Sequence, residues 1–351
     1  MRIAQVAPLY ESVPPQTYGG TERVVSYLTE QLVELGHEVT LYASGDSKTR
    51  ARLVSPCPRS LRTGADSMDY LAPHVLMLEQ VAREASRYDL IHFHIDYLHF
   101  PMSRRLHTPA LTTLHGRLDI PQLAPVYREF SEMPLVSISD SQRAPLAWAN
   151  WQATVYHGLP LGLHTFRSAQ GKYLAFLGRI SPEKRVDRAI EIAKRAGMPL
   201  KIAAKVDPAD RVYYETAIKP LLDHPLIEYL GEVGGAVKDE FLGNAYALLF
   251  PIDWPEPFGL VMIESMACGT PVIACRTGSV PEVLDHGVSG LILNCWEEGV
   301  RAVERVAKLS RRTCRRTFEQ RFSAGRMARD YIGVYQRVVA TRRVAAHRSV
   351  G

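Results

Sequence analysis

Short apolar segments alternate with longer amphipathic stretches along the whole chain. In the first half, five segments rich in Val, Ile, Leu and Phe predict strands: 2–7, 38–43, 89–94, 110–115 and 134–139. In the second half, five more segments predict strands: 172–178, 200–205, 226–231, 246–251 and 270–275. Several are apolar without alternation, which is typical of parallel strands that helices cover on both faces. The series of strands and helices therefore predicts an α/β fold with doubly wound parallel sheets.

The predicted strands are too many for one open twisted sheet, which rarely exceeds about ten strands. The segment 157–171 contains a proline, several glycines and no periodicity, which indicates a linker between two sheets. We therefore predict an N-terminal domain at 1–165 and a second α/β domain at 166–325. The remaining segment, 326–351, is predicted to be a C-terminal helix that returns to the N-terminal domain, with a frayed end.

The composition is that of an ordinary soluble protein. Hydrophobic residues make up 46% of the chain and charged residues 23%. No apolar run reaches the roughly 18 residues that a membrane span requires. The N-terminal segment MRIAQVAPLY lacks the long apolar region of a signal peptide, and the five cysteines form no CxxC pair. These features predict a cytoplasmic protein in a reducing compartment.

Positive charge is concentrated at the C-terminal end of the chain. Residues 301–351 contain fourteen Lys or Arg and three Asp or Glu, a net charge of +11, so the preceding 300 residues carry a net charge of −6. Such a segment is typical of a solvated helix face. The alternative is contact with an anionic membrane surface, a nucleic acid or an anionic acceptor.

The segment GRISPEK, residues 178–184, follows a predicted strand and precedes a helical pattern. Ligands of doubly wound sheets bind beyond the carboxyl ends of the strands. Arg179 and Lys184 therefore lie where backbone amides and a helix N-terminus can help two cations to bind a diphosphate. The alternative is a pair of exposed cations on a loop, and this segment alone does not decide between them.

A second segment, YALLFPIDWPEPFGLVMIESMACGTPVIAC, carries more information. Glu256 lies between two prolines, which restrict its backbone and fix its position. The amides of Phe258, Gly259 and Leu260 lie at the start of a predicted helix and can bind phosphate oxygens. Glu264 lies in the same helix, where a carboxylate can accept hydrogen bonds from two ribose hydroxyls. The alternatives are an ordinary turn glutamate and an exposed helix glutamate.

The segment EPFGLVMIE, followed by ACGTPVIA and GSVPEVLDHGVSGLIL, resembles the donor-binding signature of family 4 (group 1) retaining glycosyltransferases. GRISPEK and the N-terminal YGGTERVV match the same family in order and spacing, so the resemblance covers nearly the whole chain. It implies the GT-B fold, in which two Rossmann-like doubly wound parallel-sheet domains face each other across a cleft. The N-terminal domain would bind the acceptor and the C-terminal domain the nucleotide sugar.

The resemblance also implies roles for individual residues. Catalytic roles fall on Arg179 and Lys184 at the diphosphate, Glu256 at the donor sugar and His115 beside the transferred sugar. Residues that would bind the donor are the glycine-loop residues Gly19 and Gly20, and Gly231 and Val233 at the nucleobase. The backbone amides of Phe258, Gly259 and Leu260 and the ribose ligand Glu264 complete the set. Two positions depart from the family pattern. Arg185 stands where the family commonly has glycine, and the segment 157–160 does not have the usual Asn-Gly-Val-Asp.

Other constellations predict less. His92 and His94 share a strand face, but no third metal ligand follows at a recognisable spacing, so we expect no metal. The Ser-rich segment 137–141 lacks the G-x-S-x-G pattern and is typical of a helix cap. YGGTE is not G-x-G-x-x-G, which argues against a dinucleotide dehydrogenase. We therefore expect no cofactor besides the nucleotide sugar itself, which is a co-substrate.

The resemblance implies transfer of a sugar from a nucleotide sugar to a hydroxyl acceptor, in synthesis of envelope polysaccharide, glycolipid or natural-product glycoside. The acceptor would be a carbohydrate, a lipid-linked molecule or a small molecule, and no nucleic acid partner is expected. A lipid-linked acceptor would suit peripheral contact with the inner membrane face. The alternatives are an epimerase of the same fold and a non-catalytic sugar-nucleotide-binding protein.

Overall fold

The structure is a computed structural model that describes residues 1–16, 19–63 and 69–348, and the side chains up to residue 342 except that of Thr63. The chain forms two compact units. Unit 1 contains Met1–Gly158 and Ala324–Gly351, and unit 2 contains Leu159–Ser323. The division thus lies at 158/159 and 323/324 instead of the predicted 165 and 325. The first and last segments of unit 2 lie side by side, as shown by the hydrogen bond of 2.9 Å from the Leu159 amide to the Phe322 carbonyl.

Unit 1 is built on a sheet of seven parallel strands in the order β3-β2-β1-β4-β5-β6-β7. The strands are β1 (Arg2–Val6), β2 (Glu38–Tyr42), β3 (Arg52–Val54), β4 (Leu90–Phe93), β5 (Ala110–Thr113), β6 (Leu135–Ser137) and β7 (Trp151–Thr154). The helices are α1 (Gly20–Glu34), α2 (Ala72–Glu84), α3 (Phe100–Ser103), α4 (Leu123–Glu129) and α5 (Asp140–Arg143). A long helix from Ala324 to Arg348 also belongs to this unit.

Unit 2 is built on a sheet of six parallel strands in the order β10-β9-β8-β11-β12-β13. The strands are β8 (Leu174–Arg179), β9 (Leu200–Lys205), β10 (Ile227–Gly231), β11 (Ala247–Phe250), β12 (Val272–Cys275) and β13 (Gly290–Leu293). The helices are α6 (Val186–Ala196), α7 (Arg211–Tyr213), α8 (Gly235–Gly243), α9 (Leu260–Ala267), α10 (Val280–Val283), α11 (Gly299–Val306) and α12 (Arg311–Arg321). The helix Ala324–Arg348 of unit 1 is then α13.

All ten predicted strands are confirmed, and the prediction of doubly wound parallel sheets is confirmed with them. The central strands are fully buried, as β4, β11 and β12 illustrate. Helices on both faces remove them from water, which explains their continuous apolar sequences. In the core of unit 2, the apolar faces of α6 and α11 pack on the six-stranded sheet through residues that include Val186, Ile190 and Val303.

Each sheet reverses the direction of its strand order at one point, between β1 and β4 in unit 1 and between β8 and β11 in unit 2. Crevices form outside the carboxyl ends of the strands at such a point. In unit 1 the loops there lead to Gly19 and His94, and in unit 2 they carry Lys184 and Glu256. Lys184 and Glu256 therefore meet at the switch point of the unit 2 sheet, whereas Gly231 and Val233 follow β10 at its edge.

Much of the C-terminal positive charge serves the fold. Arg311 donates to the carbonyls of Arg167, Gly243 and Ala245, all within 2.9 Å. Arg315 likewise donates to three carbonyls. Guanidinium groups that satisfy carbonyls in this way are structural, and Arg311 is buried, so this part of the basic segment is not a solvated helix face. Across the described ranges, no helix is both long enough and apolar enough to cross a membrane.

Candidate functional site

Arg179 is the last residue of β8. Its guanidinium forms ion pairs with three carboxylates, at 2.6 Å to Glu183, 3.2 Å to Asp210 and 3.6 Å to Asp207. About two thirds of the side chain is buried. A phosphate group would therefore compete with these acids for the guanidinium. The diphosphate role of Arg179 stays a prediction.

The turn after β8 explains the departure at position 185. Pro182–Lys184 form one 3-10 turn, and α6 begins only at Val186. Arg185 joins the two in the left-handed region, with φ of 54°. Glycine adopts that region without steric cost, which accounts for the family's usual residue there. Arg185 is held in it by ion pairs to Asp187 at 2.7 Å and Asp253 at 2.8 Å.

Lys184 is in direct contact with Glu256. Its ammonium group forms an ion pair with the Glu256 carboxylate, and both side chains are mostly buried, with exposed fractions of 19% and 13%. The ammonium also lies 4.9 Å from the ring centroid of Trp254, within range of a cation–π interaction. The two predicted residues, 72 positions apart in the chain, thus meet at the switch point.

Backbone contacts hold the loop that carries Glu256. The Asp253 amide donates to the Glu183 carbonyl at 3.0 Å, which ties the loop after β11 to the turn after β8. The Ser279 amide donates to the Glu256 carbonyl at 3.0 Å, and the Ser279 hydroxyl donates to the Phe258 carbonyl at 2.8 Å. The position of Glu256 is thus set by contacts on both sides as well as by its flanking prolines.

The helix α9 begins where the sequence predicts. Phe258 is buried, Gly259 caps the helix with φ of 76°, and Leu260 is its first residue. A Cβ on Gly259 would lie 2.8 Å from the methyl carbon of Met262, which is the end of a flexible side chain and can move, so the left-handed conformation is the main reason for glycine here. The first amides of a helix have no partner within the helix and can donate to a bound anion. The phosphate role of these three residues stays a prediction.

Glu264, on α9, is buried with 3% exposure and forms a 2.5 Å ion pair with Lys238 of α8. A carboxylate removed from water needs a compensating charge, and Lys238 supplies it. Sequence reasoning did not identify Lys238. A lysine in the short helix after the Gly231–Val233 loop was the available signal, but its partner is 26 residues further along.

Gly231 and Val233 lie at the end of β10 and just beyond it. Gly231 has φ of 70°, which favours glycine, and a Cβ there would meet no atom within 4 Å. The surface beside it is therefore open to an approaching group. Whether that group is a nucleobase stays a prediction.

In unit 1, Gly19 caps α1 with φ of 152°, and a Cβ there would lie 2.8 Å from Pro15 Cβ. Gly20 is the first residue of α1, and Tyr18 of the same motif is outside the described residues. Glu22, in the first turn, is buried, and this burial raises the pKa of its carboxyl to about 7.

His115 lies just after β5. Its Nε2 is 2.9 Å from Nδ1 of His94, and its ring stacks on His157 with a centroid distance of 5.3 Å. Desolvation lowers the pKa of His115 to about 3, so the ring is neutral at pH 7. Its Nδ1 is buried and has no hydrogen-bond partner within the described part of the chain.

Two family models match the chain with little overlap. The model described as "Glycosyltransferase Family 4" matches residues 18–167, and the one described as "Glycosyl transferases group 1" matches residues 165–321. Together they span both units. The chain belongs to the family 4, group 1 glycosyltransferases.

Individual relatives agree with this assignment. A D-inositol 3-phosphate glycosyltransferase of Thermobispora bispora is 26% identical over 406 aligned positions, which cover 94% of this chain and 93% of the relative. Sucrose-phosphate synthase of Thermosynechococcus elongatus has a TM-score of 0.77 at 19% identity, covering 97% and 100% of the two chains. Anabaena HepE, solved in complex with UDP and glucose, has a TM-score of 0.70 at 17% identity, covering 96% and 99%. At these identities the solved structures establish the GT-B fold class of this glycosyltransferase.

The glycosyltransferase also contains a cluster of three potential metal ligands in unit 2. Atoms of His164, Asp239 and Cys268 lie within 4.8 Å of one another. One Asp239 oxygen already accepts hydrogen bonds from the Thr165 amide at 2.9 Å and from His164 Nδ1 at 3.2 Å. The cluster is therefore explained as an anchor for the segment that enters unit 2.

In the glycosyltransferase, Gly278 packs against the backbone of Glu256, a contact that sequence reasoning missed. Its φ is 54°, and a Cβ there would overlap the backbone nitrogen and oxygen of Glu256. Gly278 thus allows the loop after β12 to approach Glu256 closely. The signal in the sequence was the segment GSVPEVLDHGVSGLIL of the family resemblance, which begins at Gly278, but the contact itself joins separate loops.

We expect Gly278→Ala to destabilise the protein by about 2–4 kcal/mol, because left-handed strain of about 1–2 kcal/mol is added to the displacement of Glu256. Gly287→Ala is the matched control, since Gly287 has a similar φ of 79° but no atom within 4 Å of a Cβ. Urea unfolding of both variants measures the difference. Equal losses of stability would show that close packing on Glu256 has no cost.

Proposed function

We propose that the protein is a retaining glycosyltransferase that moves a sugar from a nucleotide sugar to a hydroxyl acceptor. The observation that carries the proposal is the Lys184–Glu256 ion pair at the switch point of unit 2. It joins, in one contact, a cation suited to a diphosphate and a carboxylate suited to sugar hydroxyls. HepE has been solved in complex with UDP and glucose and in complex with UDP-glucose, which supports a nucleotide-sugar donor for this chain.

The chemistry that we propose leaves the configuration at the anomeric carbon unchanged. The acceptor hydroxyl attacks from the face that the diphosphate leaves, and the departing phosphate oxygen takes the hydroxyl proton. Lys184, Arg179 and the first amides of α9 stabilise the negative charge that grows on the diphosphate. Glu256 holds hydroxyls of the donor sugar, and Glu264 holds the ribose. Catalysis is then mainly electrostatic and positional.

A double displacement is the other route to retention, and it needs a carboxylate free to attack the anomeric carbon. Glu256 is ion-paired with Lys184, and Glu264 is ion-paired with Lys238. Attack by either would leave a buried cation without its counter-charge. These pairings favour the single-face mechanism.

The acceptor is proposed by class only. A carbohydrate, a lipid-linked molecule or a small molecule each offers the required hydroxyl, and the names of relatives include an inositol phosphate and a sucrose phosphate enzyme. We propose a cytoplasmic site of action, with contact at the inner membrane face if the acceptor is lipid-linked. Arg311 and Arg315 donate to backbone carbonyls within the protein, so these two side chains are not available to bind a membrane surface.

A thermal-shift screen with UDP, GDP, ADP and dTDP, and with their glucose conjugates, tests the proposal. A nucleotide at 100 times its dissociation constant should stabilise the protein by about 2.7 kcal/mol. The bound nucleotide sugar is then incubated with glucose, inositol phosphate and fructose phosphate, and products are identified by proton NMR. Product with the donor's anomeric configuration supports a retaining transferase.

The alternatives give different outcomes. Binding followed by epimerised nucleotide sugar would identify an epimerase, and binding without any turnover would identify a sensor. Inverted product would contradict the retaining mechanism. Binding of none of these nucleotides would contradict the donor site itself.

A further inference from the structure

A series of hydrogen-bonded, buried polar side chains connects the helix α13 to His115 by way of the strand β1. Tyr335 of α13 lies 3.0 Å from Gln5 of β1, and Gln5 lies 2.8 Å from His94 Nε2. His94 Nδ1 then lies 2.9 Å from His115 Nε2. Gln5, His94 and Tyr335 are each at most 3% exposed. Of these residues, the family resemblance assigns a role to His115 alone.

The donors and acceptors in this series have a definite direction. Gln5 donates its amide N–H to the Tyr335 oxygen, so its carbonyl oxygen faces His94. A carbonyl oxygen only accepts, so His94 carries its proton on Nε2. Neutral His94 then has a lone pair on Nδ1, which accepts from His115 Nε2. Neutral His115 is left with its lone pair on Nδ1, the buried atom that has no partner within the described part of the chain.

Burial keeps every ring of this series neutral. Desolvation lowers the pKa of His94 well below its ordinary value, and neighbouring histidines lower it further. Desolvation likewise lowers the pKa of His115 to about 3. A second proton on His94 would place its Nδ1–H against the Nε2–H of His115, so the hydrogen bonds exclude the imidazolium form of His94. His115 is kept neutral by its burial alone.

A second arm of the network couples the orientation of the Gln5 amide to the tautomer of His92. The Tyr335 oxygen accepts from Gln5 and lies 2.8 Å from His92 Nδ1, so the Tyr335 proton has a partner if that nitrogen carries a lone pair. In that tautomer His92 Nε2 donates to Thr113 at 2.7 Å, and Thr113 contacts the Tyr331 hydroxyl at 2.9 Å. Reversing the Gln5 amide would require His92, His94 and His115 all to exchange tautomers. Such coupled networks resist partial change because each unsatisfied buried group costs free energy.

We propose that Gln5 and His94 are positioning residues that hold His115 with its proton on Nε2 and present its Nδ1 lone pair to a hydroxyl of the bound sugar. The inference rests on the proposed function and on the family resemblance, which implies that His115 lies beside the transferred sugar. A neutral acceptor atom would orient a sugar hydroxyl without placing positive charge beside the reacting carbon. The C-terminal helix α13 takes part through Tyr335, which anchors the far end of the series.

Nitrogen NMR of the full chain labelled with 15N-histidine tests this directly. Long-range proton–nitrogen spectra distinguish a protonated ring nitrogen from one with a lone pair, and His115→Gln assigns the His115 signals among the 12 histidines. We expect wild-type His115 to carry its proton on Nε2. A proton on Nδ1 in the wild type would overturn the proposal without any need for a further variant.

Gln5→Met tests the coupling, since it keeps the side-chain volume and removes both hydrogen bonds. We expect His94 and His115 to become mixed tautomers, and turnover to fall on the order of 10- to 100-fold as the ring loses its orientation. Thr112→Val is the matched control. Thr112 is the neighbour of Thr113 on β5, but its hydroxyl contacts His99 at 2.8 Å, and neither residue belongs to the series of hydrogen bonds that ends at His115. The control should leave the His115 signals and turnover unchanged.

The His99 signals show whether Gln5→Met is folded, because His99 is buried in the same unit. A folded Gln5→Met protein with wild-type His115 signals, or with turnover within twofold of wild type, would overturn the proposal. Failure of the proposed function gives a different result. In that case wild type shows no turnover with any nucleotide sugar, while the nitrogen spectra still decide whether the series fixes His115.

Discussion

Replacing Lys184 by methionine is expected to lower kcat/KM for the nucleotide sugar about a hundredfold. The ammonium group would no longer stabilise the charge that grows on the departing diphosphate, and one such interaction contributes on the order of 3 kcal/mol to the transition state. Methionine keeps most of the side-chain volume against Trp254. Initial rates at several donor concentrations give the ratio directly.

The matched control for this variant is Lys219→Met. Lys219 also forms an ion pair with a glutamate, Glu215, at 2.6 Å, but both side chains are exposed, by 59% and 44%. We expect no change in turnover there. Turnover of Lys184→Met within threefold of wild type, in a protein that melts normally, would contradict the role of this cation.

Replacing Lys238 by methionine is expected to destabilise the protein by about 3–5 kcal/mol, the usual cost of leaving one member of a buried ion pair without its partner. Glu264 would remain in a site where it is only 3% exposed. Urea unfolding measures the loss. The same substitution at Lys219 should cost less than about 1 kcal/mol, because exposed ion pairs contribute little.

A double variant separates charge from packing. Lys238→Met combined with Glu264→Gln removes both charges and should recover much of the lost stability, since buried pairs replaced together are often nearly neutral. It should not recover nucleotide binding, because an amide replaces the carboxylate that we propose for the ribose. A loss below 1 kcal/mol in Lys238→Met alone would contradict the importance of this pair.

The sequence predicted the central strands well because their apolar runs are continuous. The three strands that it missed are short and atypical. β3 has three residues, β7 is an edge strand with the polar sequence WQAT, and β13 is an apolar run of four residues that begins with Gly290. Whether such a segment forms a strand depends more on the neighbouring strand than on its own composition, and the local sequence pattern does not reveal that neighbour.

The site was predicted in part for a similar reason. Motif residues such as Lys184 and Glu256 could be found because each lies in a local segment with turn or helix signals. Lys238, Gly278 and Gln5 could not be found in that way, since each acts through a residue distant in the chain. Gln5 and Tyr335 are separated by 330 positions. Only the fold shows that such residues meet.

The central claim is that unit 2 binds a nucleoside diphosphate through Lys184 and Glu264. Isothermal titration of the full chain with UDP, GDP, ADP and dTDP, repeated with Lys184→Met and with Glu264→Gln, tests it most directly. We predict one binding site for at least one nucleotide in the wild type, and at least tenfold weaker binding, about 1.4 kcal/mol, in each variant. Equal affinity in all three proteins, or no binding of any of these nucleotides to the wild type, would contradict the account.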